Sequence, residues 1–428
     1  MLQFYKNKVF IMFQQLSFAI IQKKLISFQF YILIFLILIL PYWGFFEIFQ
    51  HLSILLFLSV IVSGIFNIKE ILSNKYIITL SLFFLFCSLS LLWSPVQETT
   101  WEYWHNLHNY KYYFILLFSI FSMQLSLKTI KNLFFIMALS PIGISIIYYL
   151  NAFGVTHIYS ALFFHGNSNL ISHYLINNFF ILYSATYFYI LCFEFFIKKQ
   201  YKSMIFSLIT SIFFAVSLVI DPLSVARLML VAFFLVLLVV PLFYLHKRYA
   251  LILIALLLAT STLFISQNTK MQKGIKTITK AIEDEKYTGS WGHRLGFAIV
   301  GIKIFSEHPI IGRGINDVRA RTIKFSKDNP QYFKGDKNRH FHNEHINFLV
   351  EVGIIGYTLF CIFIYLFLKL PIQNSFLNKL KYIFIIYFLL LMCGEHYISI
   401  QQTGSFFFIF IALTLLYHKE ERLLRTNL

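Results

Sequence analysis

Long apolar blocks separated by short polar gaps recur along almost the whole chain. Most are long enough to cross a hydrocarbon layer as helices, which takes roughly 20 residues. The pattern predicts twelve spans, at 26–42, 52–68, 76–93, 112–127, 133–150, 170–196, 204–220, 225–245, 251–265, 346–368, 382–393 and 406–416, the last two being the shortest. The fold class that follows is an all-α polytopic membrane protein of about twelve transmembrane helices. Three regions are expected: a membrane bundle over 1–265, a large loop over 266–341, and further membrane helices over 342–428.

Composition sharpens this only by excluding a soluble globule, since 58% of the 428 residues are hydrophobic and the mean hydropathy is +0.71. Charge adds the topology. One alternating set of ends and loops carries the lysines and arginines, among them Lys23, Lys24, Lys69, Lys75, Lys128, Lys131, Lys198, Lys199, Lys247, Arg248, Lys379 and Arg422. The other set, at 43–51, 94–109, 151–169, 221–224 and 394–401, carries none. Basic loops stay cytoplasmic, so both termini are predicted there. The opening 24 residues are too basic and interrupted for a cleavable signal, and are expected to form an amphipathic segment beside the membrane. The chain's partners then include membrane lipids, with no nucleic acid expected.

The loop at 266–341 is long, and by alternation external. Long loops are exempt from the charge rule, so its content is read as fold or function. It holds fifteen Lys and Arg against seven Asp and Glu, a net charge of +8. That balance suits anionic or phosphorylated lipid substrates, and equally a solvated surface facing anionic lipid. Within it, Leu295, Ala298, Ile299, Ile302 and Phe305 recur at helical spacing, and Pro309, Gly312 and Gly314 predict the stop and a tight turn. The segment "GRGIND" follows a helix rather than a strand and lacks a third glycine, which excludes a dinucleotide fingerprint.

Chemistry-bearing residues stand out against this background. Arg227 lies near the external end of its span, either snorkelling to headgroups or facing an external cavity. Glu194 and Lys198 form an i,i+4 pair, and Glu351, two turns into its helix, is expected to hold that helix to a neighbour. The four cysteines, Cys87, Cys192, Cys361 and Cys393, fall inside predicted helices and serve as packing residues. His340, His342, Glu344 and His345 resemble a ligand set, but their spacing is not that of a helical zinc motif, so no metal is expected. His342 remains open to two readings: a cap or interface residue, or a general base whose cationic surroundings favour the neutral, proton-accepting ring.

Three segments together resemble the O-antigen ligase family. "HNEHINFLVEVGIIG" is similar to its His-Asn helix motif, with His342, Asn343, Glu351, Gly353 and Gly356 matching. "SVARLMLVAFFLVL" places Arg227 at the family's first functional arginine, although the family more often has Ser directly before the arginine and Gly after it. "HRLGFAIVGIKIFSEHPIIGRG" places Arg294 at the second; Arg313 stands where relatives more often carry an apolar residue, and is a further candidate contact along with Asn343 and His345.

The resemblance implies a metal-independent, cofactor-free, inverting glycosyltransferase of the inner membrane with a periplasmic loop and site. Such enzymes move a glycan from undecaprenyl diphosphate to a sugar hydroxyl of lipid A-core. Arg227 and Arg294 would stabilise the diphosphate leaving group, and His342 would take the acceptor's proton. Two other classes stay open. An O-antigen polymerase would pass the glycan to another lipid-linked glycan, as another undecaprenyl-linked glycan transferase would pass it to a different acceptor, and a polysaccharide transporter would place its charges near the midplane of repeated helices.

Overall fold

The computed structural model describes residues 2–94, 100–156, 174–220, 226–267, 269–283, 287, 289–315, 324, 327–328 and 341–426. All regular structure among them is helical, in the order α1 (Leu2–Ile39), α2 (Phe46–Val62), α3 (Ile68–Ser73), α4 (Lys75–Leu89), α5 (Thr100–Ser122), α6 (Leu127–Leu139), α7 (Ile142–Ala152), α8 (Tyr174–Ile197), α9 (Tyr201–Ile220), α10 (Arg227–Tyr244), α11 (Lys247–Gln267), α12 (Thr269–Glu283), α13 (Gly289–Glu307), α14 (Glu344–Lys369), α15 (Ser375–Met392) and α16 (Gln401–Thr426). The chain is a multi-pass membrane protein. Every predicted window overlaps a helix, and eight spans among the described residues are long and apolar enough to cross a membrane; α2 is a shorter apolar helix.

Several expectations are adjusted. The opening basic segment is not a separate surface helix, because α1 continues through it without a break. The window at 133–150 is divided between α6 and α7 at Pro141, which cannot donate a backbone hydrogen bond. The Ser140 carbonyl beside it is taken up by the Tyr42 hydroxyl at 3.1 Å. Most of the expected loop at 94–109 is the first part of α5. The long loop begins with a helix that the spacing did not reveal, α12, packed on the expected amphipathic helix α13.

The shortest predicted span turns out to be the centre of the bundle. Every residue of α16 from Gln401 to Tyr417 is buried, against α5, α6 and α8. A helix apolar on all sides is stable only when surrounded. Rings do the packing: Phe410 stacks on Phe384 at 4.0 Å, Phe407 on Phe388 at 4.5 Å and Phe408 on Tyr113 at 4.8 Å. Within lipid such van der Waals contact, rather than expulsion from water, holds helices together.

The helix that follows the long loop is broken and repaired. Gly353, inside α14, has φ 63° and ψ −167°, so the helical hydrogen bonds cannot run through it. The turn after α13 replaces them. Arg313 and Gly314 donate their N–H groups to the carbonyls of Val350 and Glu351, both at 2.8 Å, while Ile354 and Ile355 donate to Pro309 at 2.8 Å and Ile310 at 3.1 Å. The two helical bonds lost there, from Ile354 to Val350 and from Ile355 to Glu351, leave four backbone groups, and each finds a partner in the turn, which buried backbone requires. A side chain on Gly353 would strike the Ile310 carbonyl. Gly353→Ala is therefore expected to destabilise by more than about 3 kcal/mol, since backbone strain and a clash add. Gly154 also has positive φ, but open space around it, so Gly154→Ala should cost only about 1 kcal/mol. Thermal unfolding of the purified protein in detergent separates the two, and equal losses would contradict the splice.

Candidate active site

α13 is placed by the spliced turn at its end and by its contact with α14, where Phe297, Val300 and Ile304 pack with Phe341 and Val350. That packing turns Arg294 and Phe297, one helical step apart, toward the start of α14. There His342 occupies the left-handed region at φ 49°, rare for a residue with a side chain. Both of its neighbours are pinned. The Phe341 N–H donates to Asn347 Oδ1 at 3.3 Å, and Asn343 caps α14 by accepting the Ile346 N–H at 3.1 Å. Strain of about 1–3 kcal/mol survives only where surroundings fix it in this way.

The ring of His342 meets the short connection between α15 and α16. Its Nδ1 lies 2.9 Å from Glu395 Oε2. An ionised carboxylate only accepts, so Nδ1 carries the hydrogen, and in the neutral ring Nε2 keeps the lone pair. Glu395 Oε1 accepts from His396 Nδ1 at 2.5 Å. One buried carboxylate therefore bridges two imidazoles, and Phe297 lies against the His342 ring at 5.8 Å.

Arg294 reaches the same connection, and the helix that Arg227 opens packs against it. Arg294 Nε donates to the Gly394 carbonyl at 3.3 Å, which orients its guanidinium. Arg227, expected near the end of its span, is the first residue of α10. The next residue, Leu228, packs so closely on Gly394 that a Cβ there would strike it. Arg294, Glu395 and Arg227 all lie within electrostatic reach of the Tyr174 hydroxyl at the start of α8. Arg227, Arg294 and His342 are thus brought to one end of the bundle.

The other candidates point elsewhere. Arg313 pairs with Glu307 at 3.0 Å, beyond the opposite end of α13 from Arg294. Asn343 is spent on its cap. His345 donates from Nε2 to the Leu389 carbonyl at 3.0 Å and accepts the Tyr357 hydroxyl at Nδ1, also at 3.0 Å. Glu344 turns to the backbone of Ile398 and Ser399. The ligand-like cluster therefore diverges to separate partners, with His340 outside the described residues. Glu194 and Lys198 do pair, at 3.8 Å, and Glu194 also accepts from Tyr244 and Ser375.

Sequence reasoning missed Glu395 and His396. The segment was read for its lack of Lys and Arg, although Glu395 is the one acid in an otherwise neutral connection at 394–400. Burial opposes ionisation of Glu395, yet hydrogen bonds and charge from His342 and His396 hold its carboxyl far below the usual range. Burial likewise opposes charging of His396, and the bond to Glu395 outweighs it and raises the imidazole. A depressed carboxyl stabilises the fold above its unfolded value near 4.5 and ceases to as pH falls through its folded one. A raised imidazole stabilises below its unfolded value near 6.5 and ceases to as pH rises through its folded one. The loss of thermal stability in Glu395→Gln is accordingly expected to be greatest between pH 4.5 and 6.5, and smaller on either side. A pH-independent loss in thermal melts would contradict the pairing.

Fold and site together define a helical multi-pass membrane protein with a cationic, histidine-bearing centre at one end of its bundle. Residues 209–361 match the family model described as O-Antigen ligase, which meets the resemblance over the segment that holds Arg227, Arg294 and His342. Glu395 lies outside that segment. No curated protein matches the chain.

Proposed function

We propose that the protein is an O-antigen ligase that transfers a glycan from undecaprenyl diphosphate to a sugar hydroxyl of lipid A-core, at the periplasmic face of the inner membrane. The observation that carries this reading is the His342–Glu395 pair, at the connection to which Arg294 donates and on which the start of α10, opened by Arg227, packs. A base with an orienting carboxylate suits proton removal from an alcohol. Guanidinium groups suit a departing diphosphate, whose negative charge grows as the glycosidic bond breaks. In the reaction, the acceptor hydroxyl attacks the anomeric carbon while His342 Nε2 takes its proton and Glu395 stabilises the resulting imidazolium. Arg227 and Arg294 receive the charge on the leaving diphosphate, so no metal ion is required for that task. Attack opposite the leaving group inverts the anomeric configuration. The cytoplasmic placement of both termini, and the periplasmic placement of the loop, rest on the charge alternation of the shorter loops.

A deletion strain complemented with the gene tests this assignment through the fate of the glycan. A ligase leaves polymer accumulating on the undecaprenyl carrier, with bare lipid A-core, when the gene is absent. A core carrying one repeat and no long polymer would make the protein a polymerase instead. Unchanged lipopolysaccharide in the deletion would contradict both.

A further inference from the structure

Glu344 is fully buried, and both of its carboxylate oxygens are engaged by the connection that carries Glu395. Oε2 accepts the Ile398 N–H at 2.7 Å; Oε1 accepts the Ser399 N–H and the Ser399 hydroxyl, each at 2.9 Å. Burying a carboxylate is costly unless donors surround it, and an apolar residue would serve packing alone at least as well. Its location gives it another use. Glu344 stands two residues after His342, in the first turn of α14, while Ile398 stands three residues after Glu395. Both partners of the His342–Glu395 contact are therefore referenced to the same helical turn. Other side chains complete the clamp: the Tyr113 hydroxyl donates to Ile398 O at 2.7 Å, Asn109 donates to Ser399 O at 3.2 Å, and Thr403 donates to Tyr397 O. None of those three originates on α14, whereas Glu344 ties the connection to the helix that His342 opens.

We propose that Glu344 is a positioning residue for the transfer reaction, holding the 394–400 connection in the register that keeps Glu395 against His342. This rests on the reading of His342 as the base. Glu344→Gln replaces one accepting oxygen by a donor that faces a backbone N–H, of Ile398 or of Ser399, and Ser399→Ala removes one of the three bonds while leaving the carboxylate. The arginines are carried by α10 and α13 and meet the connection only through Gly394, four residues before Ile398, so binding of the donor should be largely spared.

The test is steady-state kinetics of the full-length protein in detergent with undecaprenyl-diphosphate-linked glycan and lipid A-core, with rates normalised to folded protein from size exclusion and thermal melts. Glu344→Gln is expected to lower kcat by on the order of 10- to 100-fold, as loss of a charge-assisted hydrogen bond implies, with donor KM changed by less than about threefold. Ser399→Ala is expected to lower kcat by about two- to fivefold, in the same pattern. Wild-type kcat in both variants, or a loss that vanishes on normalisation to folded protein, would overturn the positioning role. His342→Ala, run alongside, separates the two claims. If it is inactive while Glu344→Gln is normal, only the positioning role fails; if it is active, the base assignment itself fails.

Discussion

His342→Ala is expected to lower kcat for glycan transfer by about a hundred- to ten-thousandfold, the usual worth of a positioned general base, while donor KM stays nearly unchanged. The expectation comes from geometry. His342 Nδ1 is committed to Glu395, so Nε2 is the proton-accepting nitrogen, and the strained backbone at φ 49° holds the ring at the mouth of α14. His342→Asn provides the control, because asparagine tolerates left-handed backbone better than most residues but offers no base. It is expected to be equally slow while melting close to the wild-type temperature. Initial rates with purified protein and both lipid substrates check the pair of variants, and activity in either above about a tenth of wild type would contradict the role.

The second large effect concerns the arginines. Arg227→Ala and Arg294→Ala are each expected to cost about a hundred- to a thousandfold in kcat, as loss of a preorganised donor to a developing charge does. The lysine variants distinguish the two sites. Arg294 uses Nε to hold the Gly394 carbonyl, and lysine cannot keep that bond and present a planar fork together. Arg294→Lys should therefore remain at least about tenfold impaired, and Arg227→Lys should recover more fully. The double alanine variant is expected to lose less than the product of the single losses if, as proposed, both groups act on one diphosphate. Strictly multiplicative losses in the same rate assay would mean that the arginines serve separate steps.

The helices were legible because apolar runs of spanning length leave few alternatives in a membrane. Each predicted window overlaps a helix, and the amphipathic spacing through Leu295, Ala298 and Ile302 marked α13. What hydropathy hid was polar residues in the core. α16 opens on Gln401, Gln402 and Thr403, which moved its predicted start to 406. Those residues are buried at the bundle's centre, where Gln401 accepts a bond from Gln50 and Thr403 caps the preceding connection. The break at Gly353 was hidden for a different reason. Its surroundings read as continuous helix, and only the distant turn at 309–314 makes a gap there affordable.

The site divides along the same line. Arg227, Arg294 and His342 were visible because their motifs are local, each lying in a segment with its own pattern. Glu395 was not, because its role arises from a contact with a residue 53 positions earlier in the chain. Nothing in "GEHYISI" states that contact. Arg313 shows the converse, a cation in a recognised motif whose side chain pairs with Glu307 and whose backbone helps repair α14.

The most direct test of the central claim, a single displacement by an acceptor hydroxyl activated at His342, is the configuration of the bond formed. Purified protein would be given a donor of known anomeric configuration and lipid A-core, and the new linkage read by nuclear magnetic resonance. Inversion is the predicted result. Retention would require a second displacement, and would contradict the assignment of His342 as the base in a one-step transfer.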